Sequence, residues 1–112
     1  MSQRTIEFGD FMKVDLRVGT IIEAEYFVKA KFPAYKLKVD FGPIGIKKSS
    51  AQITKLYQPQ HLLGKQVLAV LNFPPKQIAD FMSEILILGV KNDQEVVLLQ
   101  PHKRANNGIK AS

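Results

Sequence analysis

Two histidines, His61 and His102, are the side chains of this chain that ordinarily exchange protons near neutral pH. Each lies beside a proline-containing turn or loop, and neither has a partner at a recognisable spacing. A general base needs a reacting group within reach and a third group to orient it. This pair supplies neither. Ser49-Ser50 lacks the strand–turn–helix glycine frame that presents a nucleophilic serine. Gly42-Pro43-Ile44-Gly45 lacks the Gly-Lys-Ser/Thr ending of a phosphate-cradling loop. Asp80 and Glu84, at i and i+4, would share one face of a helix and read as a like-charged surface pair. The absence of cysteine removes disulfide frameworks, thiolate zinc sites, iron–sulfur clusters and thiol nucleophiles. No metal-ligand spacing is present either. The expectation is a binding module, with no catalytic residue, no metal and no cofactor.

The residues that remain for function are cationic. The chain has 112 residues, 16 Lys and Arg against 10 Asp and Glu, and a formal net charge of +6. Residues 1–28 hold three basic and five acidic groups, and residues 77–112 hold four of each. Between them, residues 29–76 hold nine lysines against Asp40 alone: Lys29, Lys31, Lys36, Lys38, Lys47, Lys48, Lys55, Lys65 and Lys76. The excess positive charge therefore belongs to the middle of the chain and not to a tail. It points to an anionic partner or to solubility.

The elements that carry these lysines follow from periodicity. Thr5 to Lys13 predicts a short amphipathic helix with Thr5 as N-cap, Glu7 in the first turn and Phe8, Phe11 and Met12 on one stripe. Leu16 to Phe27 predicts a long strand in which Leu16, Val18, Thr20, Ile22 and Ala24 share a face, with Gly19 as the site of a bulge or bend. Ala34 to Phe41 has the cleanest alternation, with Tyr35, Leu37, Val39 and Phe41 on one face and Lys36, Lys38 and Asp40 on the other. A Gly42-Pro43 turn leads to a strand from Ile44 to about Lys48. Ser49 to Tyr57 returns to helical spacing, with Ser50 as cap, Ile53, Leu56 and Tyr57 inward, and Pro59 as the stop. Further strands are expected over Gln66 to Phe73, Glu84 to Gly89 and Glu95 to Leu99. The basic tail from His102 to Ser112 turns at Asn107-Gly108.

This length suits one domain with one core. Strands outnumber helices, and no connection is long enough for repeated βαβ crossovers. The fold class is therefore all-β. A helix between the third and fourth strands is the arrangement of an OB-fold, a small antiparallel barrel, and an SH3-like barrel or small sandwich could share it. Apolar runs such as Ile85 to Leu88 are far below the roughly 20 residues of a membrane span, and the first ten residues hold no signal-length apolar run. A soluble, cytoplasmic protein without membrane insertion is expected.

Several motifs together resemble a known family. Asp15-Leu16-Arg17-Val18-Gly19-Thr20-Ile21, Ala24-Glu25 and Lys36-Leu37-Lys38-Val39-Asp40-Phe41-Gly42 resemble the opening of the tRNA-binding domain family. The likeness continues through Leu63-Gly64-Lys65-Gln66-Val67, Asn72-Phe73-Pro74-Pro75-Lys76 and Ser83-Glu84. Ile44 to Thr54 and Val96 to Pro101 resemble its CsaA group. The resemblance implies a five-stranded OB-fold barrel with short helices at the N-terminus and between strands three and four, spanning residues 1–112. It also implies a cytoplasmic homodimer that binds unfolded precursor polypeptides and the export ATPase SecA. Residues 1–14, the N-terminal helical segment, and 95–112, the C-terminal extension, are then expected in the dimer interface. One departure stands out: tRNA-binding relatives usually read Ser-Glu-Gly-Met where this chain has Ser83-Glu84-Ile85-Leu86. A branched Ile in place of Gly closes off backbone approach by a ligand.

Two binding modes are thus expected, the first a polypeptide-binding chaperone. Phe73, Pro74, Ile78, Phe81 and Met82 would contact extended clients, since Met and Phe pack adaptably. The run Ile78-Ala79-Asp80-Phe81-Met82 is too apolar to stay wholly exposed without cost. The alternative is a tRNA-binding protein with a basic OB face. Lys36, Lys38, Lys47, Lys48, Ser50, Gln52, Lys55, Asn72, Lys76 and Ser83 would then track phosphates and bases.

Overall fold

A computed structural model describes residues 4–112. The first helix, α1 (Phe8–Met12), is shorter than its apolar stripe suggests. Glu7 and not Thr5 is its N-cap, and the Glu7 N–H donates to the Asp10 carboxylate at 3.0 Å. Gly9 sits inside this single turn and weakens any extension. Phe11 and Met12 are partly covered, while Phe8 faces solvent.

The chain then enters one long strand, β1 (Leu16–Tyr26), which pairs antiparallel with β2 (Tyr35–Asp40). The register shifts between Ile21 and Glu23. One extra residue in a strand sends every later side chain to the opposite face. Ile21 is accordingly buried and Ile22 exposed, the reverse of what unbroken alternation predicts. The break is not at Gly19. That residue is required by packing, since a Cβ there would stand 2.6 Å from both Phe41 Cε1 and Val39 Cγ1.

In β2 the alternation holds: Tyr35, Leu37, Val39 and the following Phe41 are buried. A short 3-10 turn over Gly42–Ile44 leads into β3 (Ile46–Ala51). Ser49, Ser50 and Ala51 therefore belong to a strand, and the helix expected from Ser49 to Tyr57 does not form. The intervening helix is α2 (Pro59–Leu62), with Pro59 at its start. Proline suits the first helical position, where its fixed φ fits and no N–H is needed. Pro59 begins the helix where the sequence pattern placed its stop.

Strand β4 (Gln66–Val70) pairs with the other edge of β1, and a hairpin of β5 (Lys76–Ile78) and β6 (Phe81–Ser83) follows. The strand expected over Glu84 to Gly89 divides into β7 (Leu86–Ile87) and β8 (Gly89–Asn92), and β8 forms a hairpin with β9 (Glu95–Leu98). The main sheet runs β3-β2-β1-β4-β7, with every pair antiparallel. Glu84 closes its ends. The Glu84 N–H donates to the Lys48 carbonyl and Glu84 Oε1 accepts the Lys48 N–H, both at 2.8 Å. The result is a nearly closed five-stranded antiparallel barrel of the OB type, with Ile21, Leu37, Phe41, Leu62 and Ile85 in its core.

The basic tail is also built into the fold. Where β2 has turned away from β1, the tail supplies the missing hydrogen bonds. The Val18 N–H donates to Ile109 O at 3.1 Å, Gly108 N–H to Val18 O at 2.7 Å and Ala111 N–H to Leu16 O at 2.7 Å. Gly108, at φ +92°, leaves no room for a side chain: a Cβ would stand 2.5 Å from Phe41 O.

Candidate functional site

The β5–β6 hairpin packs beside β3. Strand β4 ends at Val70, and Pro74 and Pro75, which have no N–H to donate to a ladder, keep the following segment out of the main sheet. Ser83 Oγ then accepts the Ser50 N–H at 3.0 Å, while Glu84 binds Lys48. These bonds hold the base of the hairpin against β3. Between them is a depression of about 300 Å³. Phe73, Pro74 and Leu86 give it apolar walls, Ser50 and Gln52 come from β3 and its end, and Lys76, Ile78 and Ser83 come from the hairpin. Phe73 is 53% exposed and Leu86 48%. Ile85, 6% exposed, fills the core beneath.

The other side of the hairpin has a different character. Phe81 stacks edge-on against Phe27 at 5.3 Å between centroids. Lys48 Nζ lies 5.3 Å and Lys36 Nζ 5.7 Å from the Phe81 ring centre. Such cation–π contacts favour the charged lysines and fix the ring. At the hairpin tip Asp80 pairs with Lys29 at 2.7 Å, and this ammonium holds the Asp80 carboxyl below the usual carboxylate range. Asp80 and Glu84 therefore do not share a helix face. One sits at the tip of a hairpin and the other at the barrel seam.

Cross-strand pairing also reduces the basic field of β2. Glu23 faces Lys38 and Glu25 faces Lys36 in the β1–β2 register, each with Nζ to carboxylate 3.4 Å. The acidic groups of the first quarter thus neutralise two of the central lysines. Among the described residues, Lys47, Lys48 and Lys76 make no ion pair.

Seven of the predicted site residues come together around the depression: Ser50, Gln52, Phe73, Pro74, Lys76, Ile78 and Ser83. They draw on both the peptide and the nucleic-acid sets. Phe81, Lys36 and Lys38 line a smaller depression on the far side of the hairpin, of about 150 Å³. Met82 is exposed on β6, and Lys47 lies on β3 outside the walls. Lys55 Nζ donates to Gln94 Oε1 at 2.7 Å. Asn72 clamps the entry to β1: its Oδ1 accepts the Asp15 N–H at 2.9 Å and its Nδ2 donates to Lys13 O at 2.7 Å. Glu84 and Leu86 join the walls without having been named as site residues. Their signal was present in the Ser83-Glu84-Ile85-Leu86 departure.

A family model described as "Putative tRNA binding domain" matches residues 16–110. Among solved structures, the chaperone CsaA from Bacillus anthracis str. Ames is 52% identical, with a TM-score of 0.91 over 97% of this chain and 100% of that one. The CsaA chaperone protein from Picrophilus torridus is 50% identical, with a TM-score of 0.90 over 96% of this chain and 100% of that one. A methionine–tRNA ligase of Methanococcoides burtonii is 38% identical over 104 residues, 92% of this chain. The chain spans 15% of that ligase's length.

Proposed function

The chain belongs to the tRNA-binding domain family, in the branch of the CsaA chaperones, and from this we propose that it is a non-enzymatic chaperone for unfolded polypeptides. The observation that carries the reading is the depression between β3 and the β5–β6 hairpin. Its walls present half-exposed Phe73 and Leu86 beside the hydrogen-bonding side chains Ser50, Gln52 and Ser83. Apolar walls with a few polar groups suit an extended segment of varied sequence. Ile85, expected from the sequence to block ligand approach, instead turns its side chain into the core, and the neighbouring Leu86 supplies the exposed apolar surface there. The ion pairs of Lys36 and Lys38 further weaken the basic OB face on which a tRNA-binding reading depends.

The same reading includes precursor polypeptides and SecA as partners, a role in export, and a cytoplasmic location. It includes a homodimer built on residues 1–14 and 95–112, of which residues 1–3 lie outside the described structure. Lys110 Nζ donates to Met12 O at 3.0 Å, joining these two segments, and Ile6, Phe8 and Ile109 are exposed there. A two-fold interface would cover them.

Phe73→Glu tests the site. The residue is half-exposed, so the variant is expected to fold. It should lose most of the ability to suppress aggregation of a chemically unfolded protein. Unchanged suppression would place client binding elsewhere.

A further inference from the structure

The depression does not end at the hairpin. A second one, of about 330 Å³, adjoins it and is walled by Lys31 and Phe32 of the β1–β2 connection. Ser50, Gln52, Lys76 and Ile78 line both. The two depressions therefore share these four side chains, with a different aromatic beyond them in each. Phe73 is half-exposed at one end, and Phe32, 59% exposed, stands at the other. Phe32 is one of the chain's large solvent-facing apolar side chains, with Lys31 Nζ 5.7 Å from its ring centre.

Apart from Ile78, the shared middle is polar. Gln52 is exposed and makes no side-chain hydrogen bond among the described residues, although Ser50 beside it is tied to Ser83. A primary amide offers both donors and an acceptor, as a peptide backbone does. Lys76 makes no ion pair among the described residues. Apolar ends around a polar middle match one extended polypeptide, whose side chains alternate along about 3.3 Å per residue while its backbone stays unpaired. A stack of bases would instead need flat aromatic surface along the middle, where Ile78, Ser50, Gln52 and Lys76 stand.

We infer that the two depressions join into one channel and form a two-anchor site for an extended polypeptide segment. One apolar side chain of the client seats against Phe73 and Leu86, a second seats against Phe32, and the Gln52 amide hydrogen-bonds the backbone between them. This rests on the chaperone reading and specifies the class of segment it selects.

The test uses fluorescent Gly/Ser peptides of fixed length carrying leucine at one position or at two, with the separation between the two varied. They are titrated into the full chain, Phe32→Ala and Phe73→Ala, with circular dichroism confirming the fold of each variant. At a preferred separation the two-leucine peptide should bind about ten- to a hundredfold more tightly than a one-leucine peptide. Each variant should remove most of that gain. A one-leucine peptide should be little affected by either variant, because the opposite end remains open to it. If peptides bind but the second leucine adds nothing, or Phe32→Ala leaves the gain intact, the two-anchor inference is overturned while the chaperone reading stands. If neither peptides nor a full-length unfolded protein are retained, the chaperone reading fails and takes this inference with it.

Discussion

Ile85→Ala perturbs the seam that both closes the barrel and underlies the groove. The Ile85 side chain is 6% exposed and packs in the cluster that contains Ile21, Leu37 and Phe41. Its carbonyl accepts Ser49 Oγ at 3.3 Å, and the preceding Glu84 holds Lys48 from both sides of the peptide. Removing buried methyl and methylene groups costs about 2–5 kcal/mol, according to how far the site collapses. Here the space adjoins a surface depression, so water and neighbouring side chains can relax into it. We expect the lower part of the range, about 2–3 kcal/mol. Domains of this size have about 5–15 kcal/mol to lose, so the effect is large. It corresponds to about 8–15 °C in Tm. Ile85→Val should cost about 0.5–1.5 kcal/mol. Urea unfolding followed by circular dichroism measures both, with the midpoint falling and the m-value unchanged. A cost below about 0.5 kcal/mol for Ile85→Ala would refute the placement of this side chain in the core and the closure of the barrel along β3.

Two further outcomes follow from the core. Gly19→Ala places a Cβ 2.6 Å from Phe41 Cε1 and Val39 Cγ1, and this overpacking should cost about 1–3 kcal/mol in the same urea assay; a neutral variant would contradict the close β1–β2 packing. Burial, reinforced by the neighbouring Tyr26 hydroxyl, pushes the Tyr35 hydroxyl from 10.0 up to about 12. The folded chain then retains a proton that the unfolded chain releases. Stability from this group is intact below pH 10 and declines as pH rises from about 10 to about 12. Tyrosinate absorbance should show one of the three tyrosines titrating late in the native state, and joint titration of all three near 10 would contradict it.

How much of this could be read from the sequence varies by element. In β2 the alternation of Tyr35, Leu37, Val39 and Phe41 with Lys36, Lys38 and Asp40 identified the buried face, because a strand with one face in the core has no other register. In β1 the same reasoning misplaced Ile21 and Ile22, since a bulge leaves no mark in hydrophobic periodicity. Ser50 and Pro59 were ambiguous signals. A serine before apolar residues can cap a helix or lie in a strand, and proline can stop a helix or start one. The hairpin of β5 and β6 was hidden because its turn uses Ala79 at φ 53°, where glycine or asparagine would ordinarily announce it. The polar tail gave no hint that Gly108 and Ile109 would complete the β1 ladder. Seven of the site residues converge because the hairpin and β3 meet at Ser83–Ser50. Phe32 escaped notice because a single aromatic in a loop gains meaning only from what stands across the channel.

On the proposed reading, the groove holds polypeptide through apolar contact and does not hold tRNA through phosphate contacts. Titrating transfer RNA and an unfolded precursor polypeptide in parallel across ionic strength tests it directly. The polypeptide should stay bound at high salt, while any tRNA binding should be weak and fall steeply as counterions compete. Tight, salt-sensitive tRNA binding with no retention of unfolded polypeptide would contradict the chaperone reading.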